Sequence, residues 1–99
     1  MLNIHTNFEN EKATLLLEGR LDTVTAPELE KAIGAVPPEA NELILDFSEL
    51  EYISSAGLRV LLAAQKRAAW ANGMRVTKVR DAVMEIFEVT GFSDILTIG

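Results

Sequence analysis

Two adjacent hydroxyls carry the chemistry this chain has to offer: Ser54 and Ser55, followed by the small residues Ala56 and Gly57. They stand between a strongly apolar segment, Leu43-Ile44-Leu45-Asp46-Phe47, and a long stretch of helical pattern that opens with Leu58-Arg59-Val60-Leu61-Leu62. A helix start leaves backbone N–H groups without partners and carries partial positive charge. A phosphate is therefore accepted there at low electrostatic cost. Ser is also among the best N-cap residues, because its oxygen takes one of the orphan N–H groups. The pair thus has two readings, phosphoryl acceptor or helix cap. Gly57 in the first turn costs up to about 1 kcal/mol against Ala. That points either to the approach of another molecule or to close packing against a neighbouring element.

The rest of the chain supplies little chemistry of its own. With no cysteine there are no disulfides and no thiol nucleophile. The single histidine, His5, falls on a predicted edge strand with no second His or Cys beside it. A metal centre needs several ligands, so no metal site is expected. A Ser–His nucleophile pair, and with it a small serine-dependent enzyme, requires a fold that brings His5 to Ser55. Neither a G-x-S-x-G elbow nor a phosphate-binding glycine loop is present. The chain is not expected to be an enzyme or to hold a cofactor. ATP and the machinery that transfers its phosphate would belong to a partner.

Fifteen acidic against nine basic residues give a formal charge of −6. An acidic surface repels the nucleic-acid backbone and anionic lipid. Direct binding to nucleic acid or membrane is therefore not expected, and any effect on transcription would pass through a protein. Ninety-nine residues with a 48% apolar fraction suit one domain with a modest core. No apolar run reaches the length of a membrane span. The first residues lack the basic start and apolar block of a signal peptide. A cytoplasmic protein, monomeric when free, is expected.

The elements that must position the serines follow from periodicity. Residues 2–8 and 12–19 read as two strands joined by a hairpin turn at Glu9-Asn10-Glu11-Lys12, the second more evenly apolar and more buried. A loop over 19–24 leads to Thr25-Ala26-Pro27-Glu28, which has the spacing of a capping box with Thr25 as N-cap. Leu29, Ala32, Ile33 and Val36 give the following helix one apolar face, and Pro37-Pro38 stops it. Residues 43–47 read as a central strand, with Asp46 near its carboxyl end, where functional groups collect in open α/β sheets. Residues 48–53 read as a connection to a helix over about 55–72, closed by Asn72-Gly73. On that helix Arg59, Ala63, Lys66, Arg67 and Trp70 share a stripe. Trp70 either touches a partner or folds over the sheet edge or the helix end. A strand over 74–79 is expected to run parallel to 43–47. A last helix starts at Asp81, with Val83, Ile86, Phe87 and Thr90 on one face and Gly91 at its C-terminus, where Phe92 would touch Phe87. A turn and a brief strand carrying Ile95, Leu96 and Ile98 end the chain.

The string Asp46-Phe47-Ser48-x-Leu50-x-x-Ile53-Ser54-Ser55-Ala56-Gly57-Leu58-Arg59-Val60-Leu61-Leu62 closely resembles the central segment of the bacterial anti-sigma factor antagonists, the STAS family. Gly19-Arg20-Leu21-Asp22-x-x-Thr25-Ala26 resembles a second feature of that family, a loop beside the phosphoserine helix. The resemblance runs over nearly the whole chain. It implies an α/β fold: one STAS domain over residues 1–99, a mixed four- to five-stranded sheet with three to four helices packed against it, in the order ββαβαβα(β). It implies phosphorylation two positions before the glycine, at Ser55, with Ser54 as runner-up. Many members have Asp before the acceptor and Ser after it, where this chain has Ser54 and Ala56. Asp22, Thr23, Ser54, Ala56, Gly57, Leu58 and Arg59 are the implied partner-binding residues. A solvated loop carboxylate remains the other reading of Asp22. The implied partners are an anti-sigma factor that is also a serine kinase, and a serine phosphatase. In this scheme the unphosphorylated protein binds the anti-sigma factor and frees the sigma factor, for example in a stress response, and phosphorylation switches it off. The alternative is a STAS module that is not phosphorylated, serving as a scaffold or as a subunit of a signalling or transport complex.

Overall fold

In residues 12–21 Ala13, Leu15 and Leu17 alternate with Thr14, Leu16 and Glu18, and that alternation sets the architecture. The computed structural model describes residues 1–66 and 70–99. The segment forms strand β2 (Lys12–Leu21), with Ala13, Leu15, Leu17 and Leu21 fully buried. It pairs antiparallel with β1 (Leu2–Glu9) and parallel with β3 (Glu42–Ile53). β3 in turn pairs parallel with β4 (Met74–Thr77), which completes a mixed four-stranded sheet in the order β1-β2-β3-β4. Asn10 and Glu11 turn the hairpin in left-handed backbone (φ 54° and 62°), the geometry of a two-residue turn that matches strand twist.

Three helices follow the expected order: α1 (Ala26–Gly34), α2 (Ser55–Gln65) and α3 (Asp81–Thr90). Their buried residues Leu29, Ile33, Leu58, Leu61, Val83 and Phe87 join the strands in one core. The Phe47 and Phe87 rings, 6.2 Å apart, tie α3 to β3. On the other side of the sheet Thr14, Leu16, Ile44 and Asp46 are only half-buried, so the helices form one layer on one face. The fifth strand is reduced to a parallel bridge between Val76 and Ile98, with Val76 N–H donating to Thr97 (2.9 Å) and Gly99 N–H to Val76 (3.0 Å). Gly91 closes α3 in left-handed backbone (φ 83°), as its place after the last apolar turn predicts.

Four expectations are corrected. Residues 48–53 are not a connection: β3 runs on to Ile53, still paired with β2 through Gly19↔Leu50 and Leu21↔Ile53. Asp46 therefore lies mid-strand. The helix expected over 55–72 ends at Gln65, with Lys66 as its C-cap. Trp70 is not on a helical stripe: it is buried, and its indole N–H donates to the Ala64 carbonyl at 2.9 Å, one of the orphan acceptors at the end of α2. The expectations for residues 67–69, Arg67 among them, lie outside the described residues. Finally, Thr25 makes no side-chain cap bond to α1, and the capping box does not form.

Candidate functional site

The serine pair occupies the junction between the end of β3 and the start of α2. Ser54 has extended backbone (φ −99°, ψ 175°), and its Oγ accepts the Gly57 N–H at 3.4 Å, which makes it the N-cap. Its own N–H donates to the Leu21 carbonyl at 2.9 Å, which fastens the junction to the end of β2. Ser55 is the first residue of α2 and is exposed. Among the described residues its hydroxyl has no hydrogen-bond partner. The two hydroxyls are thus separated by role: one closes the helix and the other faces solvent beside the positive end of the helix dipole.

Gly57 is a packing requirement. A Cβ there would lie 2.8 Å from Leu21 Cγ and 2.9 Å from Ile53 Cγ1, both on fully or almost fully buried side chains. The first turn of α2 rests directly on the ends of β2 and β3, and that seat holds Ser55 in place. Arg20 stacks on the Tyr52 ring (4.4 Å to its centroid) at the last pairs of the two strands.

The loop after β2 forms the other wall. Asp22 Oδ1 accepts the N–H groups of Val24 and Thr25, each at 3.0 Å, and lies 3.1 Å from Thr25 Oγ1. The Ala26 N–H donates to the Asp22 carbonyl at 2.8 Å, so the helical turn begins at Asp22, ahead of Thr25. Asp22 is the working cap. The buried Thr25 hydroxyl instead donates to the Arg20 carbonyl and accepts the Asp22 N–H, both at 2.8 Å. The Thr25 backbone N–H holds the Asp22 carboxyl below the usual carboxylate range against a smaller opposing effect of desolvation; the Thr25 hydroxyl and the Val24 N–H act in the same direction.

The structure therefore brings Asp22, Thr23, Ser54, Ser55 and Ala56 to one place, with Arg59 exposed one turn further along α2. Leu58 and Gly57 point into the core. Asp46 stands apart. Desolvation would raise its pKa, but bonds from the Ser48 N–H and hydroxyl, and the Lys78 ammonium at 3.7 Å, hold it below the usual range. His5 is also apart, opposite Leu16 on β1 and 3.4 Å from Glu18. Leu16 is five residues from Leu21, the residue bonded to Ser54, which places His5 roughly 16 Å down the sheet and out of reach of the Ser55 hydroxyl. Sequence reasoning missed two features of the site. One is the organising role of the Thr25 hydroxyl, hidden by its capping-box spacing. The other is the exposure of Val24 (80%), an apolar knob in the loop beside Ser54, signalled only by its place between Thr23 and Thr25.

Among the described residues no group of His, Cys, Asp and Glu is arranged to hold a metal, and no helix is long and apolar enough to cross a membrane. A family model described as Mlab, STAS domain matches residues 4–97. A proposed anti-sigma factor antagonist, BtrV, of Bordetella bronchiseptica is 36% identical over 84 residues, which are 83% of this chain and 72% of that one. The anti-sigma-B factor antagonist of Listeria monocytogenes is 29% identical over 92 residues, 91% of this chain and 81% of that one. The crystal structure of an anti-sigma factor antagonist from Mycobacterium paratuberculosis superposes with a TM-score of 0.85 at 28% identity, over 99% of this chain and 85% of that one.

Proposed function

The chain belongs to the STAS domain family, and from that footing we propose that it is an anti-sigma factor antagonist switched by phosphorylation of Ser55. In this reading the unphosphorylated protein, a cytoplasmic monomer, docks on an anti-sigma factor that is also a serine kinase, and the sigma factor is released. The kinase supplies ATP and the transfer chemistry. A serine phosphatase restores the binding form. Asp22, Thr23, Ala56 and Arg59 contact the partner, and Gly57 and Leu58 hold the helix start that presents them.

The observation that carries the reading is the division of labour between the serines. Ser54 is engaged as the cap of α2, whereas Ser55 is exposed at N1 with its hydroxyl unengaged among the described residues. A phosphate on Ser55 adds about −1.5 to −2 charges. At the helix start it gains roughly 0.3–1 kcal/mol from the dipole. Buried against a close-fitting partner without a counter-ion, the same charge costs about 3–5 kcal/mol, a loss of roughly a hundredfold or more in affinity. The larger effect acts on binding, so the switch works without unfolding.

The test is intact mass and peptide mapping after incubation with ATP and the cognate anti-sigma kinase. One phosphate on Ser55, abolished in Ser55→Ala, is the expected result, with Ser55→Asp binding the kinase weakly. Measurable kinase binding with no phosphate on either serine would replace this reading with a STAS scaffold, or a subunit of a signalling or transport complex, that works without phosphorylation.

A further inference from the structure

Helix α3 is more apolar than the fold requires. Of its ten residues Ala82, Val83, Met84, Ile86, Phe87 and Val89 are apolar, and Val83 and Phe87 fill the core. At about 100° per residue, Ala82, Ile86 and Val89 make a second stripe well away from the buried one. Val89 is 81% exposed, Ala82 is exposed and Ile86 is half-buried. With Glu85 and Thr90 these residues form a shallow, open patch on the outer face of the one helix. One apolar stripe suffices to dock a surface helix on its sheet; in the second, Ile86 packs partly against the core, while Ala82 and Val89 are left exposed among the described residues.

Charge decides what would cover it. Residues 81–99 contain Asp81, Glu85, Glu88 and Asp94 and no Lys, Arg or His. Residues 1–80 hold eleven acidic against nine basic residues, a net −2, so −4 of the total −6 comes from this last stretch. Among the described residues none of the four carboxylates forms an ion pair. Glu85 borders the stripe, and the net negative charge of this stretch, with Arg80 at the α3 N-cap as its nearest cation in sequence, disfavours anionic lipid. A second copy meeting this stripe about a two-fold axis would set the same carboxylates against one another. A cationic segment is attracted. α3 packs on β3 and the turn at Phe92–Asp94, whereas α1 and α2 pack on each other, so the stripe and Ser55 belong to different elements of the helical layer.

We propose that the outer stripe of α3 is a second docking surface, for a protein segment that presents an apolar helical stripe flanked by Lys and Arg. It works irrespective of the state of Ser55, so a partner held there is retained when the first surface is switched off.

The test is a titration of the isotope-labelled full chain with a synthetic amphipathic peptide of about 16 residues, long enough for marginal helicity, bearing a Leu stripe and Lys flanks. Amide shifts in the NMR spectrum should concentrate on Ala82, Glu85, Ile86, Val89 and Thr90, and affinity should fall as salt is added. Val89→Lys, at an exposed position that leaves the fold intact, should weaken binding roughly tenfold or more. Glu85→Lys should weaken it in the same direction, and Ser55→Asp should leave it unchanged. Shifts scattered over the chain's carboxylates, unchanged affinity in Val89→Lys, or equal binding by a peptide with Glu in place of Lys would overturn the proposal. So would broadening of α3 signals with protein concentration alone, which would assign the stripe to a second copy. So would a stronger response to phosphatidylcholine vesicles than to the peptide, which would assign it to lipid.

Discussion

Two neighbouring serines with the same side chain have different fates because one precedes the first helical residue and the other is that residue. Ser54 Oγ accepts the Gly57 N–H at 3.4 Å, a long bond, so Ser54→Ala is expected to cost toward the lower part of the range for N-caps, about 0.5–1 kcal/mol. Ser55→Ala removes an exposed hydroxyl and should change stability by less than about 0.5 kcal/mol. Urea unfolding of both variants checks the assignment, and a larger loss in Ser55→Ala would exchange the two roles. Asp22 carries the pH dependence of the same site. Its folded pKa is lowered, first by the Thr25 N–H, so the ionised carboxylate stabilises the folded loop above the ordinary carboxylate range. That stabilisation is lost as pH falls through the ordinary value toward the folded one. Asp22→Asn keeps an oxygen that accepts from Val24 and Thr25 and has no proton to gain. The parent should therefore lose more stability than Asp22→Asn on going from neutral pH to about pH 3, and the two should converge in their response above the carboxylate range. Parallel loss in both would remove Asp22 from the acid transition.

At the scale of elements, the seat of α2 on β2 and β3 fixes where Ser55 stands. Gly57→Ala gains up to about 1 kcal/mol in helix propensity, but the new Cβ meets Leu21 Cγ at 2.8 Å and Ile53 Cγ1 at 2.9 Å. Overpacking of this kind costs about 1–3 kcal/mol, and the neighbours are buried and cannot swing away. The variant should be destabilised, with the helix start lifted off the sheet and phosphate transfer to Ser55 slowed. Net stabilisation in urea would mean that the seat yields. The same junction explains what periodicity did and did not disclose. The ββαβαβα order was legible because apolar alternation and turn residues agree along β1, β2, α1 and α3. The second half of β3 was not, because Phe47, Leu50 and Ile53 are buried at intervals of three, with the pairing register shifted between Leu16 and Glu18 and between Gly19 and Arg20. A strand that shifts register loses its period of two. The end of α2 was overestimated for the opposite reason. Ala, Gln, Lys and Arg after residue 63 favour helix, and tertiary burial of Trp70 with its bond to Ala64 prevailed. At the site the motif located both serines, whereas Thr25 was misjudged because a capping-box spacing does not reveal that Asp22 has already opened the turn.

For the whole molecule the question is whether a phosphate changes the fold or only the surface. One helical layer covers one face of the sheet, and the core lies between them. Ser55 is exposed outside that core, and its phosphorylation would move the formal charge from −6 to about −7.5 to −8. Two terms then oppose each other. The helix dipole stabilises the phosphate by roughly 0.3–1 kcal/mol, while added self-repulsion in an already acidic chain destabilises the compact state. Both act through solvent and are screened over about 8–10 Å at physiological salt. The unfolding free energies of the phosphorylated and unphosphorylated forms should thus differ by less than about 1 kcal/mol, with unchanged far-UV circular dichroism and a difference that shrinks as salt is added. A change above about 2 kcal/mol, or a loss of helical signal, would place the phosphate against the core and turn a surface switch into an unfolding switch. The expected outcome leaves affinity for the partner as the only large quantity that phosphorylation alters. Under the proposed switch, a fold held by buried leucines would meet both demands made of it: it would keep Ser55 presented at the helix start, and it would survive the added charge.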